Sequence, residues 1–199
     1  MKFFVNFLSA FRIAAAFAII PAIILKMPWT TFLLFVLGSM SDWFDGYLAR
    51  KYNCCTKIGG VLDHIGDKLL VCNTLILLAL MMPVPYIVIP VIIMIARELY
   101  ISGLREFLGT QKIEMPVPKA RFSMGKIKTT IQMIAISVFL GFFVVMNTIT
   151  PTTDSVIIMK LFYYLPNIGI ALLWFALVAS LWSATEYTFT FAKKLKQVK

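Results

Sequence analysis

Residues 42–67 read DWFDGYLARKYNCCTKIGGVLDHIGD, and this acidic stretch lies between two long apolar segments. It contains two pairs of carboxylates, Asp42 with Asp45 and Asp63 with Asp67. Spacings of three and four residues place the members of each pair on one face of a helix. The stretch therefore predicts two helices joined by a loop, with their acidic faces meeting at one end.

The composition of the 199-residue chain indicates that it lies in a lipid bilayer. Hydrophobic residues make up 60% of the sequence and charged residues 14%, against about 45–50% and about 25% in soluble domains. The positive, apolar start resembles a signal peptide, but further apolar segments follow it, so we interpret it as a membrane helix. The net charge of +10 is then expected in basic loops and does not indicate a nucleic-acid partner.

About 20 apolar residues are needed to span a bilayer, and on that basis the chain is predicted to be a single all-α membrane domain over residues 1–199. A short interfacial segment, residues 2–8, is expected to precede the first span. The last apolar segment is too long for one span, so it is either broken near Pro166 or extends well past the bilayer. The six predicted spans are residues 9–26, 30–50, 60–82, 86–108, 122–146 and 155–191.

The distribution of basic residues predicts which side of the membrane each end faces. Ten lysines and arginines fall in segments 50–59, 109–121 and 193–199, while the alternate connections carry only Lys26 and Lys160. Cytoplasmic loops of membrane proteins carry the excess of positive charge. Both termini and the acidic stretch are therefore predicted to face the cytoplasm.

The residue types in the acidic stretch favour a metal site that binds a diphosphate. Carboxylates this close to hydrocarbon are costly to bury, and a set of oxygen ligands favours Mg²⁺, Mn²⁺ or Ca²⁺ over zinc. The small residues Gly46, Ala49 and Gly59 would let a bulky ligand approach the backbone, and Arg50 could bind a phosphate. On these residues alone, the ion site of a transporter and a structural ion-pair cluster also remain open.

The spacing D-x2-D-G-x2-A-R-x8-G-x3-D-x3-D resembles the signature of the CDP-alcohol phosphatidyltransferases. Enzymes of this family displace CMP from a CDP-linked lipid with an alcohol. The N-terminal stretch from Asn6 through Ser9 to Arg12 is similar to the family's entry motif, with Ser where Thr is usual. His64 departs from the family pattern, which commonly has Pro there, and is expected to be a polar group at the helix start.

The resemblance implies a role for each residue of the signature. The four aspartates would hold two divalent cations, Mg²⁺ or Mn²⁺, with Asp42 and Asp63 shared between them. Asp67, the last in the motif, would be the general base for the acceptor hydroxyl. The family also implies a homodimer. The residues expected to bind the CDP-lipid are Asn6, Ser9, Asp42, Asp45, Gly46, Ala49, Arg50 and Gly59.

Segments 96–106 and 125–129 resemble the branch of the family whose acceptor is sn-glycerol 3-phosphate. Ionisable residues within a membrane helix indicate a functional site by default. Glu98 and Arg105 share a face of the fourth predicted helix, so their pairing is the structural alternative. The cations expected to bind the acceptor phosphate are Arg97, Arg105, and Lys126 or Lys128.

Two other functions are compatible with the same aspartates. Within the family, the acceptor could be phosphatidylglycerol, serine or inositol phosphate. Outside it, an intramembrane prenyltransferase also uses aspartate-rich diphosphate sites, but its acidic pairs lie on separate repeats, which this sequence does not show. The function we favour is transfer of the phosphatidyl group from CDP-diacylglycerol to sn-glycerol 3-phosphate, in the lipid of a bacterial cytoplasmic membrane.

Overall fold

The computed structural model describes residues 2–52, 57–110, 124–148 and 156–198. Within these ranges, the side chains at 2–6, 42–43, 45–52, 57–58, 124–126, 156–159 and 196–198 lie outside the description. The described chain forms six helices: α1 Lys2–Ile24, α2 Pro28–Tyr52, α3 Lys57–Met81, α4 Pro85–Thr110, α5 Met124–Thr148 and α6 Val156–Val198.

The helices are long and apolar enough to make this a multi-pass membrane protein. Among the described residues, five segments qualify as spans: Phe7–Ile24, Gly59–Met81, Pro85–Thr110, Ile127–Thr148 and Lys160–Leu195. Helix α2 contributes a shorter apolar segment, Pro28–Ser41, because the acidic and basic residues of the signature follow it. The predicted all-α membrane fold of about six helices is confirmed.

The helix boundaries follow from local backbone chemistry. Helix α1 ends before Lys26, whose φ of 53° is the left-handed conformation that commonly follows a last helical turn. Pro28 then begins α2 at a position where its missing N–H breaks no helical hydrogen bond. Residues 2–8, predicted as an interfacial segment, form the first turns of α1.

Helix α6 resolves the alternative that the sequence left open for the last apolar segment. Its 43 residues continue through Pro166 without a break. A helix of that length exceeds the roughly 20 residues that a bilayer requires. The continuous helix rules out the break near Pro166 and supports the interpretation in which the last helix extends past the bilayer.

Two groups of helices pack around a shared apolar core. Helix α1 packs on α2 and α3, α5 packs on α6, and α4 lies against α6 and α3. Phe35, Leu70 and Phe139 come from different helices and are completely buried between them. A Cβ atom at Gly169 would lie 2.9 Å from the Phe139 ring, so the close approach of α5 and α6 requires a glycine there.

A cavity of about 270 Å³ lies at the end of the bundle away from the acidic stretch. Its walls come from the end of α1, the start of α2 and the ends of α3 and α5, and include Lys26, Thr31, Met81 and Asn147. The residues that line it include no carboxylate. The carboxylates lie at the opposite ends of α2 and α3, so this cavity is not the place for their chemistry.

Candidate active site

The signature residues occupy the adjoining ends of two helices. Asp42 and Asp45 lie in the last turns of α2, and Asp63 and Asp67 lie in the first turns of α3. The prediction of two helices that each carry one acidic pair is thus met by the backbone. Several predicted side chains lie outside the described residues, and their roles stay predictions: Asn6, Asp42, Asp45, Gly46, Ala49, Arg50 and Lys126.

Asp63 and Asp67 are the described carboxylates of the signature. They lie four residues apart on α3 and therefore share one face of that helix. The Asp63 side chain is 44% exposed, and Asp67 is partly buried one turn further along. Gly59, one turn before Asp63, is buried. The carboxylate of Asp63 is therefore accessible to a ligand at this end of the bundle.

Arg12 on α1 is the last residue of the N-terminal motif, and no separate role was predicted for it. Its side chain is completely buried, and its Nη1 donates a hydrogen bond to Asp63 Oδ1 at 2.6 Å. Its Nε donates to Ser41 Oγ at 3.3 Å. Ser9, predicted to contact the CDP-lipid, is also buried, one turn before Arg12. The signal that could have identified Arg12 is a charged residue within an apolar span.

A group of charged and polar side chains lies beside the aspartates, between α3, α4 and α5. Glu98 Oε1 accepts hydrogen bonds from Arg97 Nη1 at 2.7 Å and from Lys128 Nζ. Arg97 Nε also donates to the backbone oxygen of Ser180 on α6 at 3.1 Å. Glu98 thus pairs with Arg97 and Lys128 and not with Arg105, because its carboxylate reaches across to α5. We call the following six residues the α4 cluster: Lys68, Arg97, Glu98, Ser102, Arg105 and Lys128.

The two remaining cations of the α4 cluster differ in position. Arg105 is exposed, and its guanidinium lies 5.4 Å from the centroid of the Tyr187 ring. Lys68, which follows Asp67 in the chain, donates from Nζ to Ser102 Oγ, and that hydroxyl donates to the Glu98 backbone oxygen at 2.7 Å. Lys68 was not predicted as a site residue, although a lysine inside an apolar span was a signal for one.

The charges of the α4 cluster do not balance. Among the residues that the structure describes, the cluster contains four cations, Lys68, Arg97, Arg105 and Lys128, and one carboxylate, that of Glu98, which pairs with Arg97 and Lys128. Arg105 lies close enough to the other three cations to repel them electrostatically. An excess of positive charge within a membrane domain is costly unless an anion neutralises it. The cluster is therefore suited to an anionic ligand.

The described residues are compatible with a divalent metal but do not complete a site. No group of three or more His, Cys, Asp or Glu residues in the described ranges is arranged to hold a metal ion. Asp63 and Asp67 supply only oxygen donors, which suit Mg²⁺ or Mn²⁺. A complete site would also draw on Asp42 and Asp45, whose side chains lie outside the description.

The aspartates lie on adjoining helix ends, and a basic cluster lies beside them within a bundle of apolar helices. This arrangement suits a membrane-embedded enzyme that acts on phosphate-bearing substrates. Residues 3–182 match the CDP-alcohol phosphatidyltransferase family, and the chain belongs to that family. Members generally depend on a divalent metal. The family predicted from the signature is therefore confirmed.

Three curated relatives to which the chain is similar share one name, CDP-diacylglycerol–glycerol-3-phosphate 3-phosphatidyltransferase. A protein of Rickettsia bellii is 44% identical over 136 residues, which are 67% of this chain and 72% of the relative. A protein of Sodalis glossinidius is 33% identical over 187 residues, 92% of each chain. A protein of Escherichia coli K12 is 32% identical over 188 residues, 90% of each chain.

Proposed function

We propose that the chain transfers the phosphatidyl group of CDP-diacylglycerol to sn-glycerol 3-phosphate, giving phosphatidylglycerophosphate and CMP. The observation that carries this proposal is the bond from Lys68 to Ser102, which joins the aspartate-bearing end of α3 to the basic cluster of α4. A donor with a diphosphate and an acceptor with a phosphate need these two kinds of site side by side. The shared name of relatives that align over about nine-tenths of the chain supports the same reaction.

The donor site is formed by the four aspartates and the small residues between them. When bound there, two divalent cations, Mg²⁺ or Mn²⁺, would neutralise the diphosphate and stabilise the negative charge that develops on the leaving group. In this proposal Gly46, Ala49 and Gly59 would leave room for the cytidine, and Arg50 would contact the diphosphate. Asn6 and Ser9, at the start of α1, complete the CDP-lipid site.

The reaction is a displacement at the phosphorus of the phosphatidyl group. The acceptor hydroxyl attacks this phosphorus, a new P–O bond forms, and the bond to the bridging oxygen of CMP breaks. Asp67 takes the hydroxyl proton, because a carboxylate one turn from Asp63 on the same helix face can approach the reacting oxygen. The bonding electrons of the broken P–O bond leave with CMP.

The acceptor site is formed by the α4 cluster. Arg97 and Lys128 neutralise Glu98, and their bonds connect α4 to α6 and to the Lys128 side chain of α5, so their charge is partly committed within the protein. Arg105 is exposed, and within the described residues Lys68 bonds to the neutral hydroxyl of Ser102. These two cations are therefore the main groups for the phosphate of glycerol 3-phosphate, while Lys126 stays a further candidate.

We propose that the protein lies in the bacterial cytoplasmic membrane with both termini and the active site toward the cytoplasm. This orientation is supported by the excess of basic residues near the aspartate-bearing helix ends. In a variant without native cysteines, a cysteine at Lys26 should react with an impermeant thiol reagent outside the cell, and one at Lys193 should not. The reverse pattern would contradict the orientation.

We also propose that the enzyme is a homodimer, as the family resemblance implies. The mass of the protein component in a detergent complex, measured by light scattering, tests this directly. Twice the mass of one 22.5 kDa chain is expected. The mass of a single chain would contradict the dimer and would leave the assignment of the reaction unaffected.

The proposed reaction is tested by CMP release from CDP-diacylglycerol with each acceptor in turn. Glycerol 3-phosphate should support release in the presence of Mg²⁺ or Mn²⁺, and a chelator should abolish it. Release with phosphatidylglycerol, serine or inositol phosphate in place of glycerol 3-phosphate would point to another member of the family. Release of diphosphate from a prenyl diphosphate, without CMP release, would favour the prenyltransferase.

A further inference from the structure

Arg12 lies where α1 meets both helices that carry the aspartates. Its Nη1 contacts Asp63 twice, at Oδ1 at 2.6 Å and at the backbone oxygen at 3.5 Å. Its Nε donates to Ser41 Oγ on α2, and Ser41 directly precedes Asp42 in the chain. One buried side chain thus links the two halves of the acidic stretch.

The packing of α1 on α3 makes this contact possible. Gly66, almost one turn after Asp63, is buried, and a Cβ there would lie 3.2 Å from Ile13 Cγ1 and 3.5 Å from Arg12 Cδ. The same Cβ at position 66 would lie 3.4 Å from the backbone oxygen of Ser9. A larger residue at this position would push α1 away from α3. The glycine therefore allows the arginine to reach Asp63 from inside the bundle.

The ion pair leaves part of Asp63 open to a ligand. Arg12 is completely buried, whereas the Asp63 side chain is 44% exposed. Arginine presents its donors in a planar, rigid fork, so it fixes the orientation of a carboxylate more tightly than lysine does. Asp63 is thus held through one carboxylate oxygen while its side chain stays accessible.

We propose that Arg12 is a positioning residue that holds Asp63 through Oδ1 and presents its other carboxylate oxygen to a divalent cation. Hydrogen bonds to metal-ligating groups orient those groups and raise the affinity for the metal. The bond from Arg12 Nε to Ser41 also restrains α2, at the residue that precedes Asp42. This inference rests on the metal-binding role that the proposed function gives to the aspartates.

The test measures Mn²⁺ affinity of the purified full-length protein in detergent, without lipid substrates, from the electron paramagnetic resonance signal of free Mn²⁺. Arg12→Lys keeps the positive charge but loses the fork and the Nε donor. Loss of such a partner commonly lowers metal affinity about 10–100-fold, and that decrease is expected here. Arg12→Gln, which also removes the charge, should lower the affinity as well.

Asn73→Ala is the matched control, because Asn73 Nδ2 donates to the Ala16 backbone oxygen at 3.0 Å across the same α1–α3 interface. It removes an interhelical bond without touching the aspartates, so Mn²⁺ affinity should stay at the wild-type value. Wild-type Mn²⁺ affinity in both Arg12 variants would show that the ion pair between Arg12 and Asp63 has only a structural role. Tighter binding in Arg12→Gln would show that Arg12 competes with the metal. Either result overturns the inference.

Ser41→Ala keeps the test decisive if the Arg12 variants do not fold. It removes the partner of Nε, together with the local bond from Ser41 Oγ to the Gly38 backbone oxygen, and leaves the ion pair with Asp63 in place, so a smaller decrease in Mn²⁺ affinity is expected. Unchanged affinity in that variant would overturn the inference. A wild-type protein that binds no Mn²⁺ would overturn this inference and the metal role together. A protein that binds Mn²⁺ but releases no CMP would contradict only the proposed reaction.

Discussion

Lys68 donates a hydrogen bond from Nζ to Ser102 Oγ, which ties the helix turn that holds Asp67 to the basic helix α4. The proposed base for the acceptor hydroxyl and a cation for the acceptor phosphate are thus consecutive residues. Side chains at adjacent positions of a helix point about 100° apart. Within one turn of α3, Asp67 can therefore face the donor site while Lys68 faces the other residues of the α4 cluster.

Lys68→Met is expected to weaken binding of glycerol 3-phosphate far more than binding of CDP-diacylglycerol. A hydrogen bond to a charged group is worth about 1.5–3 kcal/mol, so the apparent KM for the acceptor should rise about 10- to 100-fold. Steady-state kinetics with each substrate varied in turn measure the two values. Ser102→Ala, which keeps the ammonium and removes only its hydroxyl partner, is the control and should have a smaller effect. Equal changes in both KM values would contradict the placement of Lys68 in the acceptor site.

Arg105→Ala should also raise the KM for glycerol 3-phosphate about 10- to 100-fold, by the same charge-assisted contact. Arg105 is exposed and does not pair with Glu98, so the variant should fold with wild-type stability. Tyr187→Phe keeps the ring beneath the guanidinium and should leave the KM unchanged. An unchanged acceptor KM in Arg105→Ala would remove Arg105 from the acceptor site, and a large loss of stability would assign it a structural role.

Glu98→Gln is expected to destabilise the protein, because it leaves two buried cations, Arg97 and Lys128, without their carboxylate. Breaking a buried ion pair from one side commonly costs about 3–5 kcal/mol. Thermal unfolding in detergent, followed by circular dichroism, measures the loss. Adding Lys128→Met in the same chain removes one of the orphaned charges and should restore part of the stability. No loss in the single variant would show that Glu98 does not neutralise these cations.

Much of the fold could be predicted from the sequence, because bilayer thickness fixes the length of an apolar span and charge fixes its ends. The start of α3 was predicted at residue 60 and is observed at Lys57, so the helix begins almost one turn before the predicted span. The acidic pairs could likewise be predicted, because helical periodicity converts a spacing of three or four residues into a shared face.

Contacts between helices could not be predicted in the same way. The spacing of Glu98 and Arg105 on one helix suggested a pair, but Glu98 instead meets the long side chain of Lys128 from α5, while α4 itself packs on α3 and α6. Arg12 reaches Asp63 across 51 positions of sequence, and only the close approach of α1 and α3 brings them together. Such partners depend on how each helix is rotated and packed against its neighbours. The residue pattern of one helix carries no information about that packing.

The measurement that tests the account most directly compares turnover and donor affinity in Asp67→Asn and Asp42→Asn, with saturating Mg²⁺ and glycerol 3-phosphate. If Asp67 takes the acceptor proton, Asp67→Asn should lower CMP release about 10²–10⁴-fold and should still bind CDP-diacylglycerol, because Asn keeps the size and one ligand oxygen. Asp42→Asn should instead weaken donor binding, since Asp42 is proposed to be shared by both cations.

Two results would contradict this assignment. Retention of more than about a tenth of the wild-type turnover in Asp67→Asn would fall outside the range for loss of a general base, and would show that another group accepts the proton. Equal loss of donor binding in the two variants would show that the aspartates act only as a metal-binding set, with no separate base among them.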